Sequence, residues 1–361
     1  MKPRVLFVGR SRYRLPLDPA LARKWDALRE HFDVRVLATG ADGPQRDETF
    51  HLVRDRRLAS FYALLPALAA REVHEFDPDV IVTQSPYEAV AVSRVRAGAK
   101  LVLEVHGDWE TAALLYGSAG RRILRPLSRR LACAAVRSAD VIRTVSPFTS
   151  GIVRAAGAEP AGTFTTYFDV SAFTDRPPAP LPDQPTALFV GVLERYKNIA
   201  GLADAWRLAA PRLPAARLRL VGSGRETTIV ERLLADLPDR TEWMPRLAPG
   251  EVALALDAAS LLVLPSFSEG LPRVAIEAFA RGRPVLGARA GGIPDIVEDG
   301  ISGLLVEPHD PVSIAEGLVR TLSDRRLLER LAAGAAASAE RWLQTPEQFA
   351  RQMRDLVAAV L

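Results

Sequence analysis

Cysteine is almost missing from this chain. One residue, Cys133, among 361 leaves no internal disulfide to staple a fold. It sits in an Ala-rich helical run and reads as a packed thiol. Lysine is nearly as scarce: of 47 basic side chains only Lys2, Lys24, Lys100 and Lys197 are lysines. That pattern reads as a compositional bias toward arginine. No apolar stretch approaches the ~18 residues of a membrane span, and the opening "MKPRVLFVG" halts at a glycine too early for a secretory leader. The expected compartment is the cytoplasm. No basic patch interleaved with aromatics is present, so nucleic acid is not an expected partner. His31, His51, His74 and His309 show no metal-ligand spacing with one another, and no metal site is expected.

What is present is a globular composition, 48% hydrophobic, in a length that suits two domains. The net charge of +4 is uneven. Residues 1–170 carry 25 basic and 19 acidic side chains, and the remainder carries 22 and 24. A basic first half attracts phosphates or an acidic lipid surface. The segment "GRRILRPLSRRL" has two readings, a helix resting on such a surface or a solvated helix face.

Short runs rich in Val, Ile and Leu recur along the chain: "RVLFVG", "VRVLAT", "DVIVTQ", "LVLEVHG", "DVIRTVS", then "ALFVGVL", "RLRLVG", "SLLVLPS" and "PVLGA". They alternate little, as strands covered on both faces do. Helical stretches at 20–30, 61–75, 120–137 and 314–322 separate them. This is an α/β pattern of two Rossmann-like, doubly wound parallel sheets. The stretch "TDRPPAPLPDQP", with five prolines, reads as an interdomain linker. The expected domains are therefore 1–175 and 186–340, with a last amphipathic helix in 341–361. Ligands of such sheets bind at the carboxyl ends of the strands, near the point where strand order reverses. Two domains of this kind would face a cleft.

The most informative residues follow the strand "SLLVLPS". Glu269 and Glu277 are separated by seven residues in "SEGLPRVAIE". Pro272 suits the first turn of a helix, Gly270 permits close approach of a ligand, and the amides near Leu271 favour an anion. Amides for a phosphate beside carboxylates for hydroxyls describe a sugar nucleotide. The same acids also fit a solvated first-turn residue and a salt-bridged helix residue. Two carboxylates serve glycoside hydrolysis as well, but the phosphate-friendly loop argues against it. In "FVGVLERYKN", Arg195 and Lys197 enter a helix after a strand and suit a phosphate contact, or an ordinary surface. In "LEVHGDWE", His106 ends a strand, where it can meet a ligand oxygen or shuttle a proton, or simply pack. "LVGSGRE" and "ARAGGIPD" are glycine loops that can approach a ligand through their backbone.

With these residues assembled, the chain resembles the retaining glycosyltransferases of family 4, which have the two-domain GT-B architecture. The resemblance is specific over "PSFSEGLPRVAIEAFARGRPVLGARAGGIPDIVEDGISGLLVEP", which carries the E-x7-E run, and looser in the first half, where "SADVIRTVS" and "FDVSAF" also fit. It implies that Glu269 binds donor sugar hydroxyls, that amides at Gly270 and Leu271 hold the diphosphate, and that Glu277 binds the ribose. It implies further that Lys197 contacts the diphosphate, aided by Arg195, and that His106 lies near the donor sugar and the reacting centre. By the same resemblance the reaction transfers a sugar from a nucleoside-diphosphate donor to an acceptor hydroxyl with retention. It needs no metal or other cofactor, with Glu269, Lys197 and His106 in the catalytic centre, and the final helix crosses back to the first domain. Three positions depart from the family. Val192 stands where an arginine is usual. The first loop reads "GRSRYRLPL", so that Arg10, Arg12 and Arg14 face an anionic acceptor or solvent. Tyr167-Phe168 replaces an Asn-Gly. Two alternatives share the fold: a sugar-nucleotide epimerase or hydrolase, and a sugar-nucleotide-binding protein without turnover.

Overall fold

A computed structural model of the chain describes residues 1–55, 58–109 and 125–361. They fall into two compact units: the described residues up to Asp169 together with Gln344–Leu361, and Val170–Leu343.

The first unit is built on β1 (Arg4–Tyr13), α1 (Pro19–His31), β2 (Asp33–Gly40), β3 (Gln45–Arg46), β4 (Phe50–Arg54), α2 (Leu58–Phe76), β5 (Val80–Thr83), α3 (Pro86–Ser93) and β6 (Lys100–Val105). Then come α4 (Arg125–Ser138), β7 (Val141–Thr144), α5 (Pro147–Ala155) and β8 (Gly162–Thr163). The sheet order is β3-β4-β2-β1-β5-β6-β7-β8. Every pairing is parallel except β3 with β4. Both faces are covered. On one, Trp25 and Leu28 of α1 pack with Phe7, Tyr13 and Phe50; on the other, α2, α3 and α4 bury Leu65, Val92 and Val136. Near-continuous apolar strands are what two covered faces require.

The second unit runs α6 (Ser171–Thr174), β9 (Thr186–Val190), α7 (Ile199–Ala209), β10 (Arg217–Val221), α8 (Thr227–Asp236), β11 (Thr241–Met244), α9 (Pro249–Asp257) and β12 (Leu261–Leu264). It continues with α10 (Arg273–Ala280), β13 (Val285–Ala288), α11 (Ile293–Ile296), β14 (Gly303–Val306), α12 (Pro311–Ser323) and α13 (Arg325–Ala339). Its six strands are all parallel, in the order β11-β10-β9-β12-β13-β14. The chain winds outward from β9 to β11, then returns to place β12 on the other side of β9. The loops after β9 and β12 therefore diverge and leave a crevice at their carboxyl ends. The corresponding point in the first unit lies between β1 and β5.

The proline-rich segment is not a free linker. The unit changes at Asp169–Val170, before the prolines begin, and the segment is strapped to the second unit by two fully buried arginines. Arg281 donates to the carbonyls of Arg176 and Pro177, both at 2.8 Å. Arg283 donates to those of Ala179 (2.8 Å) and Pro180 (3.0 Å). Asp257 on α9 neutralises Arg281 at 2.7 Å. Proline has no N–H, so the carbonyls of such a run need outside donors, and guanidinium forks supply several from one side chain. The chain returns at Gln344: α14 (Pro346–Ala358), capped by Thr345, lays Phe349, Met353 and Leu356 into the core beside Trp25. It thus lies on α1 in the first unit.

Candidate functional site

In the second unit, two glycine loops interleave at the crevice. Gly191 N–H donates to Val221 O at 2.9 Å and Leu193 N–H to Ser223 O at 3.0 Å. A Cβ on Gly222, at φ +143°, would stand 1.8 Å from Gly191 O, and one on Gly224 would stand 2.4 Å from Leu193 O. Only glycine permits this approach. Past it, Arg195–Lys197 forms one 3-10 turn that ends at Asn198 in the left-handed region, φ +57°. The Asn198 side chain caps α7 through Gly201 N–H (3.1 Å) and donates to Pro265 O (3.2 Å) and Pro308 O (2.7 Å). One asparagine thereby ties the ends of β9, β12 and β14 together.

That tie, with Phe267 N–H on Tyr196 O at 2.8 Å, brings Lys197 against the acid loop. Lys197 Nζ donates to Glu269 Oε1 at 2.5 Å, with the two side chains only 10% and 12% exposed. A buried, charge-assisted bond of this kind holds both groups firmly. The loop "ARAGG" supports the acid rather than leaving its glycines open: Gly292 N–H donates to Glu269 O at 2.7 Å. Gly291, at φ +57°, has room for no Cβ, which would lie 2.6 Å from the Glu269 backbone. Gly270 and Leu271 are half-buried beside the acid. Pro272 gives α10 no side-chain cap, and the amide of Ala275 in its first turn donates to Pro272 O at 3.0 Å. Five residues on from Pro272, burial pushes the Glu277 carboxyl above the usual range, with the charge of Arg273 opposing the shift. Arg195 is exposed on its turn, and so is Val192, 48% accessible.

Two features here were not legible in the chain. Phe267 of the acid loop stacks on the ring of His309 at 4.7 Å, although His309 has no distinguishing sequence context. Glu226, after β10, has a buried carboxylate oxygen without a hydrogen-bond partner among the described residues. Burial raises its pKa, and Arg195 opposes the rise.

In the first unit, His106 follows β6 and is anchored on both ring nitrogens. Nε2 lies 3.3 Å from Glu104 Oε2, and Nδ1 lies 3.5 Å from Thr166 Oγ1. Beneath it, Glu104 and Arg143 are directly opposed across the β6–β7 ladder. Both are buried, with Arg143 Nη1 donating to Glu104 Oε1 at 2.6 Å. Arg143 Nη2 donates to Phe164 O (2.8 Å) and Thr166 Oγ1 (3.0 Å), and its guanidinium lies over the Phe164 ring. Burial alone would raise the Glu104 carboxyl, but the charge of Arg143 and the bond from His106 outweigh it and hold it down to about 2. Glu104, Arg143 and Thr166 are site residues that the sequence reading missed. The signal was a charge in each of two apolar strands, "LVLEVHG" and "DVIRTVS".

The segment "GRSRYRLPL" begins as strand rather than loop: Arg10 and Arg12 lie in β1 and Arg14 just after it, and all three are paired. Arg10 and Arg12 share Asp55 at 3.1 and 3.3 Å, and Arg14 holds Asp42 at 2.6 Å. Glu110 and the first residues of "GRRILRPLSRRL" lie outside the described residues. Among the described residues one group of three potential metal ligands converges, His51 with Glu72 and Glu75. Arg35 and Arg46 already provide its positive charge, at 3.6 Å from Glu72 and 2.7 Å from Glu75.

Residues 172–338 match the family model described as glycosyl transferases group 1, and residues 20–163 match that of glycosyltransferase family 4. Among curated proteins, the chain is 37% identical over 190 residues to the D-inositol 3-phosphate glycosyltransferase of Streptomyces bingchenggensis. It is 40% identical over 184 residues to that of Acidothermus cellulolyticus. These matches span 48% and 47% of this chain but only 42% and 41% of the relatives' own length. Among solved structures, sucrose-phosphate synthase from Thermosynechococcus elongatus superposes with a TM-score of 0.79 at 21% identity, covering 99% of each chain. HepE from Anabaena, in complex with UDP-glucose, superposes at 0.73 and 19% identity, covering 99% of this chain and 100% of that one. The fold of the chain is therefore GT-B, with a Rossmann-like sheet in each unit, and each unit contains a match to a glycosyltransferase family model.

Proposed function

We propose that the chain is a glycosyltransferase that moves a sugar from a nucleoside-diphosphate donor to a hydroxyl acceptor. The observation that carries this reading is the buried Lys197–Glu269 pair at the strand-switch crevice, inside the segment matched by the group 1 model. A donor of the same chemical class, UDP-glucose, occupies the structurally similar HepE. In this reading Lys197, the amides around Gly270 and Leu271, and Arg195 receive the diphosphate. Glu269 accepts hydroxyls of the sugar, Glu277 those of the ribose, and His106 of the first unit serves the reacting centre.

The bond between the anomeric carbon and the donor phosphate breaks, and the new glycosidic bond forms with retention. The acceptor hydroxyl's proton passes to the departing diphosphate. Neither glutamate becomes covalently attached. Fixed positive groups stabilise the charge that grows on the leaving group, so no metal is required. Glu269→Ala should lower turnover by about 10²-fold or more, the scale of losing one fixed polar partner of the reacting group. Thermal stabilisation by UDP-, GDP- or ADP-sugars without added metal should identify the base, because a ligand of the native state raises its apparent stability. Wild-type turnover in Glu269→Ala would remove the site assignment. Nucleotide release with no acceptor dependence would favour a hydrolase.

We further place the protein in the cytoplasm, where its one free cysteine suits a reducing setting, in peripheral contact with an acidic lipid surface. Among the described residues no helix is long and apolar enough to cross a membrane. On α4, however, Leu127 and Leu131 are 56% and 40% exposed, beside exposed Arg129, Arg130 and Arg137. Apolar side chains flanked by arginines suit an interface between headgroups and acyl chains. Flotation with phosphatidylglycerol vesicles should recover the protein at low salt, and Leu127→Ser with Leu131→Ser should reduce recovery. No flotation at low salt would dismiss the contact.

A further inference from the structure

A buried Arg–Glu pair is a poor device for stability, because apolar residues of the same volume often serve as well or better. Arg143 even leaves its Nε buried without a hydrogen-bond partner among the described residues. The pair is explained by what it holds. We propose that Glu104 is a positioning residue that dictates which nitrogen of His106 carries the proton, and so which ring atom is offered to a ligand.

Glu104 is ionised, and an ionised carboxylate only accepts. Its Oε1 is taken by Arg143 Nη1 at 2.6 Å, and its Oε2 faces His106 Nε2 at 3.3 Å. Nε2 must therefore bear hydrogen. On the other edge, Thr166 Oγ1 already accepts from Arg143 Nη2 at 3.0 Å. Its own hydrogen is then free to point at His106 Nδ1, 3.5 Å away. Nδ1 is thus the lone-pair side of a ring that is 37% exposed, and among the described residues its hydrogen-bond contact is the longer of the two. A hydroxyl of a bound molecule can replace that contact and donate to Nδ1. One charged pair in the core thereby sets the polarity of a surface imidazole. A role in turnover rests on the glycosyltransferase reading above; the position of the proton does not.

The test is the tautomer of His106 in the intact protein, read from long-range 1H–15N couplings of 15N-histidine at a pH where the ring is neutral. The chain has five histidines, and His106→Asn assigns the signal by its loss. The wild type should show hydrogen on Nε2. Glu104→Gln keeps the volume and can still accept from Arg143, but presents an amide NH₂ to Nε2, so the hydrogen should move to Nδ1. Thr166→Val removes the hydroxyl and should leave the wild-type tautomer in place. Hydrogen on Nδ1 in the wild type, or an unmoved tautomer in Glu104→Gln, overturns the proposal. If Glu104→Gln fails to fold, the wild type and Thr166→Val decide: a tautomer that switches in Thr166→Val transfers control to the threonine and overturns it. With donor and acceptor in hand, Glu104→Gln should lower kcat by about 10- to 100-fold while leaving KM for the donor within about twofold, the pattern of a misaligned group rather than lost binding. A tautomer switch in a protein that transfers no sugar would sink the proposed function and leave this inference standing.

Discussion

Glu88 shows how a single buried acid can be both a local cap and a liability. It is the third residue of α3, only 3% exposed. Ser85 at the cap position donates to its carboxyl, and Tyr62 OH donates to it at 3.0 Å. Burial outweighs the backbone amides of Glu88 and Arg10, the Tyr62 bond and the charge of Arg10, and lifts its pKa to about 7. A folded pKa above the unfolded value means that stability is full below about pH 4.5 and is lost as pH rises through about 7. Glu88→Gln keeps both partners without the charge. It should therefore raise stability by about 3 kcal/mol at pH 8 and by almost nothing at pH 4.5. Chemical denaturation at the two pH values checks this, and an equal gain at both would refute it. Glu104 has the opposite sign: its carboxylate contributes above about pH 4.5, and that contribution fades toward about 2. The first of these acids is legible, since "SPYE" is a helix-start signature. The second is not. "LVLEVHG" and "DVIRTVS" read as plain buried strands, and only the ladder register that sets Glu104 opposite Arg143 reveals a pair.

At the scale of elements, the strands with dense Val, Ile and Leu were readable, because two covered faces leave little else. Four of the strands that escaped were half-polar or very short: β4 with "FHLVR", β11 with "TEWM", and the two-residue β3 and β8; the fifth, β14 with "GLLV", is apolar but brief and opens on a glycine. Proline count also misled. A run with five prolines has the composition of a linker, yet its carbonyls are satisfied by Arg281, Arg283 and Arg325, which lie about a hundred residues or more further on. Sequence gives no hint of such distant donors. Arg281→Ala would strip Asp257 of its buried partner and free the carbonyls of Phe173, Arg176 and Pro177. Breaking one side of a buried pair costs about 3–5 kcal/mol. The second unit should melt several degrees lower, and protease should cut within residues 174–185. An unchanged melting temperature would show that the strap is held by something else. In the site itself, Lys197 and Glu269 were singled out separately from their places after strands. Their bond depends on Asn198 joining three strand ends, which no spacing rule anticipates.

For the whole chain, the repeated strand–helix pattern made two parallel sheets evident, and the E-x7-E run made the second unit's resemblance specific. The first unit was fainter, because its chemistry rests on side chains paired inside the sheet rather than on a loop motif. The return of residues 344–361 to the first unit carries a consequence for biosynthesis. A ribosome releases all of Val170–Leu343, with its own core, before it releases Phe349, Met353 and Leu356. Until then the flank of α1 that Phe349, Met353 and Leu356 pack on has no cover, although Trp25 already rests on Phe7, Tyr13 and Phe50. The half that is made first is therefore the half that finishes last, and during that interval it is the natural client of a chaperone.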